Sequence, residues 1–209
     1  MSQASLFASA YDPKIQLSPY QLRVILGAIA ARRPGCRLLV FGAGLDTPFW
    51  RGANPDGETL FLETDPEWIS SASEDGEEDI LQMPTFGLTV ERCMKMHRSE
   101  LERCQPPETL TARGWDVVLV DGPPGHHADL PGRAVAIYWA WRLAGEGGDV
   151  FVHDFERRLE TAYSHYFLRD RRKAPSVVVP AGPGARRQQL FWSIGDPLAA
   201  SGSGEPDRR

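Results

Sequence analysis

Two carboxylates and an imidazole stand where two short apolar runs end. Val117–Val120 stops on Asp121, and Val150–Val152 stops on His153-Asp154. Carboxylates close enough to share a site hold hard divalent cations, and an imidazole beside them shifts the preference toward transition metals. A metal at Asp121, His153 and Asp154 would acidify a bound hydroxyl and orient it for attack. Without a metal, His153 or Asp154 could act as general base for a neutral hydroxyl, which must lose its proton as it attacks. The competing reading is structural, with Asp121 capping the Gly-Pro-Pro turn and His153 packing at a strand end.

A second constellation follows the first apolar run, Leu38–Phe41. There the chain reads GAGLDT, and the next run, Thr59–Leu62, ends on Glu63 with Asp65 two residues on. Glycines after a strand let backbone approach a ligand, and an acid ending the neighbouring strand can accept both hydroxyls of a ribose. Gly42, Ala43, Gly44, Glu63 and Asp65 are therefore the candidate cofactor residues, with Asp121 beside them. Thr47 stands where a dinucleotide fingerprint has its third glycine, which disfavours a nicotinamide-dependent oxidoreductase. Adenosine without a pyrophosphate fits better, as in S-adenosylmethionine.

The loop GPPGHHADLPGR supplies the candidate substrate residues His126, His127 and Arg133. Adjacent histidines diverge in most backbones, so at most one of the two is expected to reach the site. Arg133 opens a helix, where a guanidinium and the helix N-terminus together suit a carboxylate; an ion pair with Asp129 is the alternative. Cys93 and His97 are spaced i, i+4 but have no second pair nearby, so a structural role is expected for them. Trp139 lies off the apolar stripe of its helix and marks either a subunit contact of a homodimer or packing under a loop.

The elements that must position these residues alternate. Ser18, Pro19 and Gln21 form a helix-start signature for Leu17–Ala31, whose buried face is Leu22, Ile25, Leu26 and Ile29. A short helix from Pro66, a weak strand at Asp79–Met83 and a helix over Leu88–Cys104 with Val90, Met94 and Leu101 inward are expected next. Ala134, Ile137, Tyr138 and Trp141 recur at i, i+3, i+4, i+7 between the two central strands. Glu156–Leu168 predicts a helix with Leu159, Ala162, Tyr163 and Tyr166 on one side, followed by the basic cluster Arg169–Lys173. Ser176–Val179 and Leu190–Ile194 predict two closing strands around the turn Pro180–Gly184. The pattern is a three-layer, Rossmann-like α/β fold, with a mostly parallel sheet and a C-terminal antiparallel hairpin. Such sheets bind ligands at their carboxyl edge, where Asp121, His153 and Asp154 fall. Residues 15–198 form the domain, 1–14 a flexible arm and 199–209 a disordered tail; the acidic run Glu74–Asp79 is a loop.

At 209 residues with net charge −5 and pI near 5.6, the chain is not built for general nucleic-acid or acidic-membrane binding. No apolar run reaches the roughly 20 residues that span a bilayer. The start lacks the pattern of a signal peptide, and three cysteines without a CxxC pair argue against a disulfide framework. A cytoplasmic location is the expectation.

The segments LLVFGAGLDTPFW, TLFLETDPEWI, WDVVLVDGPPGHHADLPGRAVAIY and DVFVHDFERRLETAYSHYFL resemble the glucuronoxylan 4-O-methyltransferase and irregular-xylem polysaccharide-biosynthesis family. The resemblance covers roughly residues 15–170, and DGPxG, PGR and FVHDF are its specific marks. It implies a class I S-adenosylmethionine-dependent fold and methyl transfer to a hydroxyl of a uronic acid, with help from a divalent metal. By position it implies that Gly42, Gly44 and Glu63 hold the cofactor and that Asp121, His153 and Asp154 form the reaction centre. His126, His127 and Arg133 fall on the substrate side. The plant enzymes carry an N-terminal membrane anchor, whereas this chain starts almost at the catalytic domain. The stretch from Glu74 to Gly114 matches loosely, which leaves a saccharide or a small carboxylate-bearing metabolite as acceptor. A non-catalytic member binding cofactor or glycan is the alternative; together, Asp121, His153 and Asp154 argue against it.

Overall fold

Helix α1 (Pro19–Ala30) begins where its capping residues place it. The Ser18 hydroxyl accepts from the Gln21 backbone, and the Gln21 side chain accepts from the Ser18 backbone. Leu22, Ile25 and Ile29 are buried, with Gln21 beside them; Leu26 is only half-buried. The computed structural model describes residues 15–73, 78–169, 177–182 and 188–193. The expected arm and tail, most of the acidic loop and most of the Arg169–Lys173 cluster lie outside these residues.

The strands are β1 (Arg37–Phe41), β2 (Glu58–Glu63), β3 (Ile80–Gln82), β4 (Trp115–Val120), β5 (Ala144–His153), β6 (Val177–Pro180) and β7 (Gln188–Ser193). They form a seven-stranded sheet in the order β3-β2-β1-β4-β5-β7-β6. The first five are parallel, while β7 runs antiparallel to both β5 and β6. The mostly parallel sheet with a terminal hairpin is thus as expected. Strands buried on both faces read as unbroken apolar runs, and LLVF and VVLV do so here.

Alternation along each strand splits the core in two. Leu39, Phe41, Val118, Val120, Val150 and Val152 face α6 (Ala134–Leu143) and α7 (Arg158–Phe167). Leu38, Val40, Val117, Leu119 and Phe151 face α1 and α2 (Thr47–Ala53). These faces make the three layers. Register then sets the site: Phe41 pairs with Leu62 and Val120, and Val120 with Val152. The next residue of each strand falls in one row, so Glu63, Gly42, Asp121 and His153 share the carboxyl edge.

Two expected helical faces differ. Instead of one helix over Leu88–Cys104 there is α4 (Val90–Lys95) and a 3-10 helix (Arg98–Arg103). His97 breaks the run by capping the second, its Nδ1 against Ser99, so Cys93 and His97 do not share a helix. Cys93 is buried and Met94 exposed. Helix α7 buries Leu159, Glu160, Tyr163, Ser164 and Phe167, with Tyr166 turned out. Trp139 is buried, its indole N–H donating to the Cys104 carbonyl and its ring edge-on to Phe86; it packs under a loop. Helix α3 (Pro66–Ala72) follows β2, and α5 (Glu108–Thr111) precedes β4. Among the described residues no helix is long and apolar enough to cross a membrane.

Candidate active site

The row at the sheet edge opens into a cavity of about 790 Å³, within the range of small-molecule sites. Gly42, Ala43, Gly44, Asp46, Glu63, Asp65 and Trp68 form one wall. Asp121, His126, Arg133, Asp154 and Arg157 form another. The two walls meet at a glycine pair. Gly42 has φ +109, and a Cβ on it would stand 3.1 Å from the Gly122 nitrogen. A Cβ on Gly122 would stand 2.7 Å from the Gly42 Cα. Only two glycines let the β1 and β4 turns touch and leave bare backbone at the cavity.

Glu63 is tied into this turn. One oxygen accepts the Ala43 N–H at 2.9 Å. The other accepts the backbone N–H groups of Thr64 at 2.5 Å and Asp65 at 2.9 Å, and the Thr64 hydroxyl at 3.2 Å. The residue expected to hold ribose hydroxyls therefore also shapes the turn; Oε1 is filled by three donors, while Oε2 has one. Asp65 is exposed; its Oδ1 accepts from the Glu67 backbone to cap α3, and its Oδ2 has no partner among the described residues.

At the ends of β4 and β5, the His153 Nδ1 stands 2.8 Å from Oδ1 of Asp121 and 3.7 Å from Oδ2 of Asp154. His153 is 1% exposed and its Nε2 is buried without a partner among the described residues; Nδ1 faces an ionised carboxylate, which only accepts, so Nδ1 carries a proton toward it. Burial acts to raise the Asp121 carboxyl. The His153 hydrogen bond, with the charges of Arg133 and Arg157, outweighs it and holds the group below the ordinary carboxylate range. The second oxygen of Asp121 has no partner among the described residues and the residue lines the cavity.

The ligand atoms of Asp121, His153 and Asp154 all lie within 4.8 Å of one another, the spacing expected of a cation site. A cation is already built into it. The Arg133 guanidinium is 3.2 Å from Asp121 Oδ1 and 3.0 Å from Asp154 Oδ2. It also donates to the carbonyls of His153 and Asp121, each at 2.6 Å. Arg157 adds a second contact to Asp154 at 2.9 Å. Asp154, buried and with φ +55, is locked between two guanidinium groups. Arg133 thus pairs with Asp121 and Asp154 and not with Asp129, and its guanidinium takes the space between these donors that a divalent ion would need.

His126 is on the cavity wall and His127 is outside it, their rings 4.6 Å apart. Sequence reasoning missed Asp46, Trp68 and Arg157, all on the wall. The aspartate of GAGLDT, next to the glycines, was the one signal available for Asp46.

The IRX15/IRX15L/GXM family model matches residues 20–82 and 80–177. Arabinogalactan O-methyltransferase 2 of Arabidopsis thaliana is 31% identical, over 93% of this chain and 72% of that protein. Glucuronoxylan 4-O-methyltransferase 2 of the same plant is 35% identical, over 66% of this chain and 55% of that protein. The chain thus spans little more than half the length of the second relative. Among solved structures, N-methyltransferase NodS from Bradyrhizobium japonicum WM9 in complex with S-adenosyl-L-homocysteine is similar, with a TM-score of 0.50 and 10% identity. The match covers 92% of this chain and 98% of that one, a likeness of fold.

Proposed function

Because this chain belongs to the IRX15/IRX15L/GXM family, we propose that it is an S-adenosylmethionine-dependent O-methyltransferase. Its acceptor is a hydroxyl on a carboxylate-bearing, uronic-acid-like saccharide or small metabolite. One observation carries the reading. Asp121, backed by His153, stands on the wall of a cavity whose other edge is the bare Gly42–Ala43–Gly44 turn. The likeness to an arabinogalactan O-methyltransferase and a glucuronoxylan 4-O-methyltransferase supports the saccharide class.

When bound, the cofactor supplies a methyl group made electrophilic by its positive sulfur. Gly42–Gly44 give it a close backbone edge, and Asp65, with its unpartnered Oδ2, is left to meet the ribose hydroxyls. Asp121 takes the proton of the acceptor hydroxyl as that oxygen bonds to the methyl carbon and the sulfur–carbon bond opens. The electron pair of the broken bond stays on sulfur. His153 donates from Nδ1 to Asp121, which keeps the carboxylate ionised and aimed. Its Nε2, sealed in the core, does not reach the acceptor. Arg133 and Arg157 hold Asp154, and with it the end of β5. Since Arg133 occupies the cation site, no step passes through a metal. His126 is the wall residue free to meet the acceptor.

Transfer of label from methyl-labelled S-adenosylmethionine to a glucuronic-acid-bearing xylooligosaccharide, free glucuronic acid and a neutral xylooligosaccharide tests the reading. Label on a uronic-acid acceptor is expected. Label on none, or on the neutral oligosaccharide alone, contradicts it.

A further inference from the structure

Asp46 is an aspartate at a helix start that does not cap its helix. It occupies the N-cap of α2, yet its backbone is helical (φ −96, ψ −1) and its side chain accepts no N–H of the first turn. An N-cap aspartate ordinarily does so. Instead the Trp50 indole N–H donates to Oδ2 at 2.9 Å. Trp50 is buried, at 1% exposed, so this bond fixes the carboxylate from behind. Oδ1 has no partner on another of the described residues and comes within 3.9 Å of where a Cβ on Gly44 would stand. The residue lines the cavity together with Gly42, Ala43, Gly44 and Asp121.

Each of the other cavity carboxylates has a partner or a role in the reading above, although Asp121 and Asp65 each keep one oxygen open. Glu63 holds the turn, Asp154 holds two guanidinium groups, and Asp121 gives one oxygen to His153 and Arg133. Asp65 is exposed at the β2 side of the turn. Asp46 presents Oδ1 from beside the Gly42–Gly44 turn, with no arginine or lysine paired to it among the described residues. Burial, then the charge of Asp121, push its carboxyl above the ordinary range, although the Trp50 hydrogen bond and His153 oppose this. A cation brought into the cavity relieves both effects.

S-adenosylmethionine carries two cationic groups. Its sulfonium has no N–H to donate, whereas its α-ammonium has three, and an open carboxylate oxygen calls for a donor. We propose that Asp46 Oδ1 receives the α-ammonium group of S-adenosylmethionine and seats the amino-acid arm of the cofactor against Gly44. This rests on the methyltransferase reading above. The β1 turn then recognises the amino-acid arm while Asp65, beyond β2, meets the ribose, and Trp50 is the residue that positions Asp46.

The test is calorimetric binding of S-adenosylhomocysteine and of an analogue lacking only its α-amino group, to the wild type and to Asp46→Asn. The wild type binds S-adenosylhomocysteine more tightly than the analogue by about ten-fold or more, the scale of a hydrogen bond between charged groups. Asp46→Asn loses that discrimination and binds the analogue as the wild type does. Discrimination kept in Asp46→Asn, or equal weakening of both ligands, overturns the assignment and leaves the methyltransferase reading intact. A wild type that binds neither ligand sinks the reading itself. Should Asp46→Asn fail to fold, Asp46→Glu, which keeps the charge but moves it by one methylene, is expected to lose most of the discrimination; full discrimination in it overturns the proposal.

Discussion

The Nδ1 of His153 and the Oδ1 of Asp121 are 2.8 Å apart, across two adjacent parallel strands whose register puts the two residues side by side. Their partnership orders the roles at the sheet edge. His153, sealed on its Nε2 side, serves Asp121, and Asp121 is the group that faces the cavity.

The His153 contact is expected to show in the pH profile. Asp121 works as a carboxylate, so turnover falls as pH drops through its pKa, which His153 helps hold below the ordinary carboxylate range. His153→Ala raises that pKa and moves the acid limb of kcat to higher pH, with a loss of about ten-fold in the limb region. His153→Asn, whose amide N–H can replace Nδ1–H, restores the limb toward its original place. Identical limbs in all three proteins would exclude the pair from the reaction.

Glu63 is expected to behave as a structural residue as much as a binding one. Glu63→Ala strands the N–H groups of Ala43, Thr64 and Asp65. A stranded buried donor costs about 1–3 kcal/mol, so thermal unfolding shifts down and S-adenosylhomocysteine binding weakens together with it. Weakened binding at an unchanged Tm would instead return Glu63 to direct contact with ribose.

Glu160 is buried on α7 with neither carboxylate oxygen partnered by a side chain or backbone of another of the described residues. Burial raises its carboxyl above the ordinary 4.5, against the pull of Arg133 and Arg157. A raised folded pKa means the stabilising, protonated form is complete below the ordinary value and is lost as pH rises through the folded one. Glu160→Gln abolishes that loss, so its Tm exceeds the wild type's above this pH and converges with it in acid. Parallel Tm curves between pH 4 and 8 would contradict this.

Arg133 stands in for a metal ion. Replacing it by Met leaves Asp121 and Asp154 without their shared cation, at a cost of roughly 3–5 kcal/mol for one partner of a buried pair. Calorimetry with Mg²⁺ or Mn²⁺ is expected to be silent for the wild type and to show binding for Arg133→Met. Binding to the wild type would mean that Arg133 yields its place.

Much of this site was legible in the sequence because strand ends are. Apolar runs such as VVLV end sharply on their carboxylates, and parallel register lines those ends up whatever the loops do. The capping box at Ser18–Gln21 and the terminal hairpin were equally local signals. What failed was choice among partners. Periodicity placed Tyr166 inward on α7, but the layer beneath takes Glu160, Ser164 and Phe167, and no local rule predicts a buried, unpartnered glutamate. Composition joined α4 to the 3-10 helix, where His97 preferred to cap. Arg133 was read as open to substrate because the two carboxylates that claim it come from different strands. Asp46 escaped notice because its neighbours, Trp50 and Asp121, lie one helical turn and three strands of chain away respectively.

The most direct test of the account is single-turnover methyl transfer by Asp121→Asn at saturating cofactor and acceptor. Asn keeps the shape and loses the proton-accepting carboxylate, so the rate is expected to fall by about 10²–10⁴ while the dissociation constant of S-adenosylhomocysteine changes by less than about three-fold. A rate within a few-fold of the wild type would contradict the account and remove Asp121 from the chemistry.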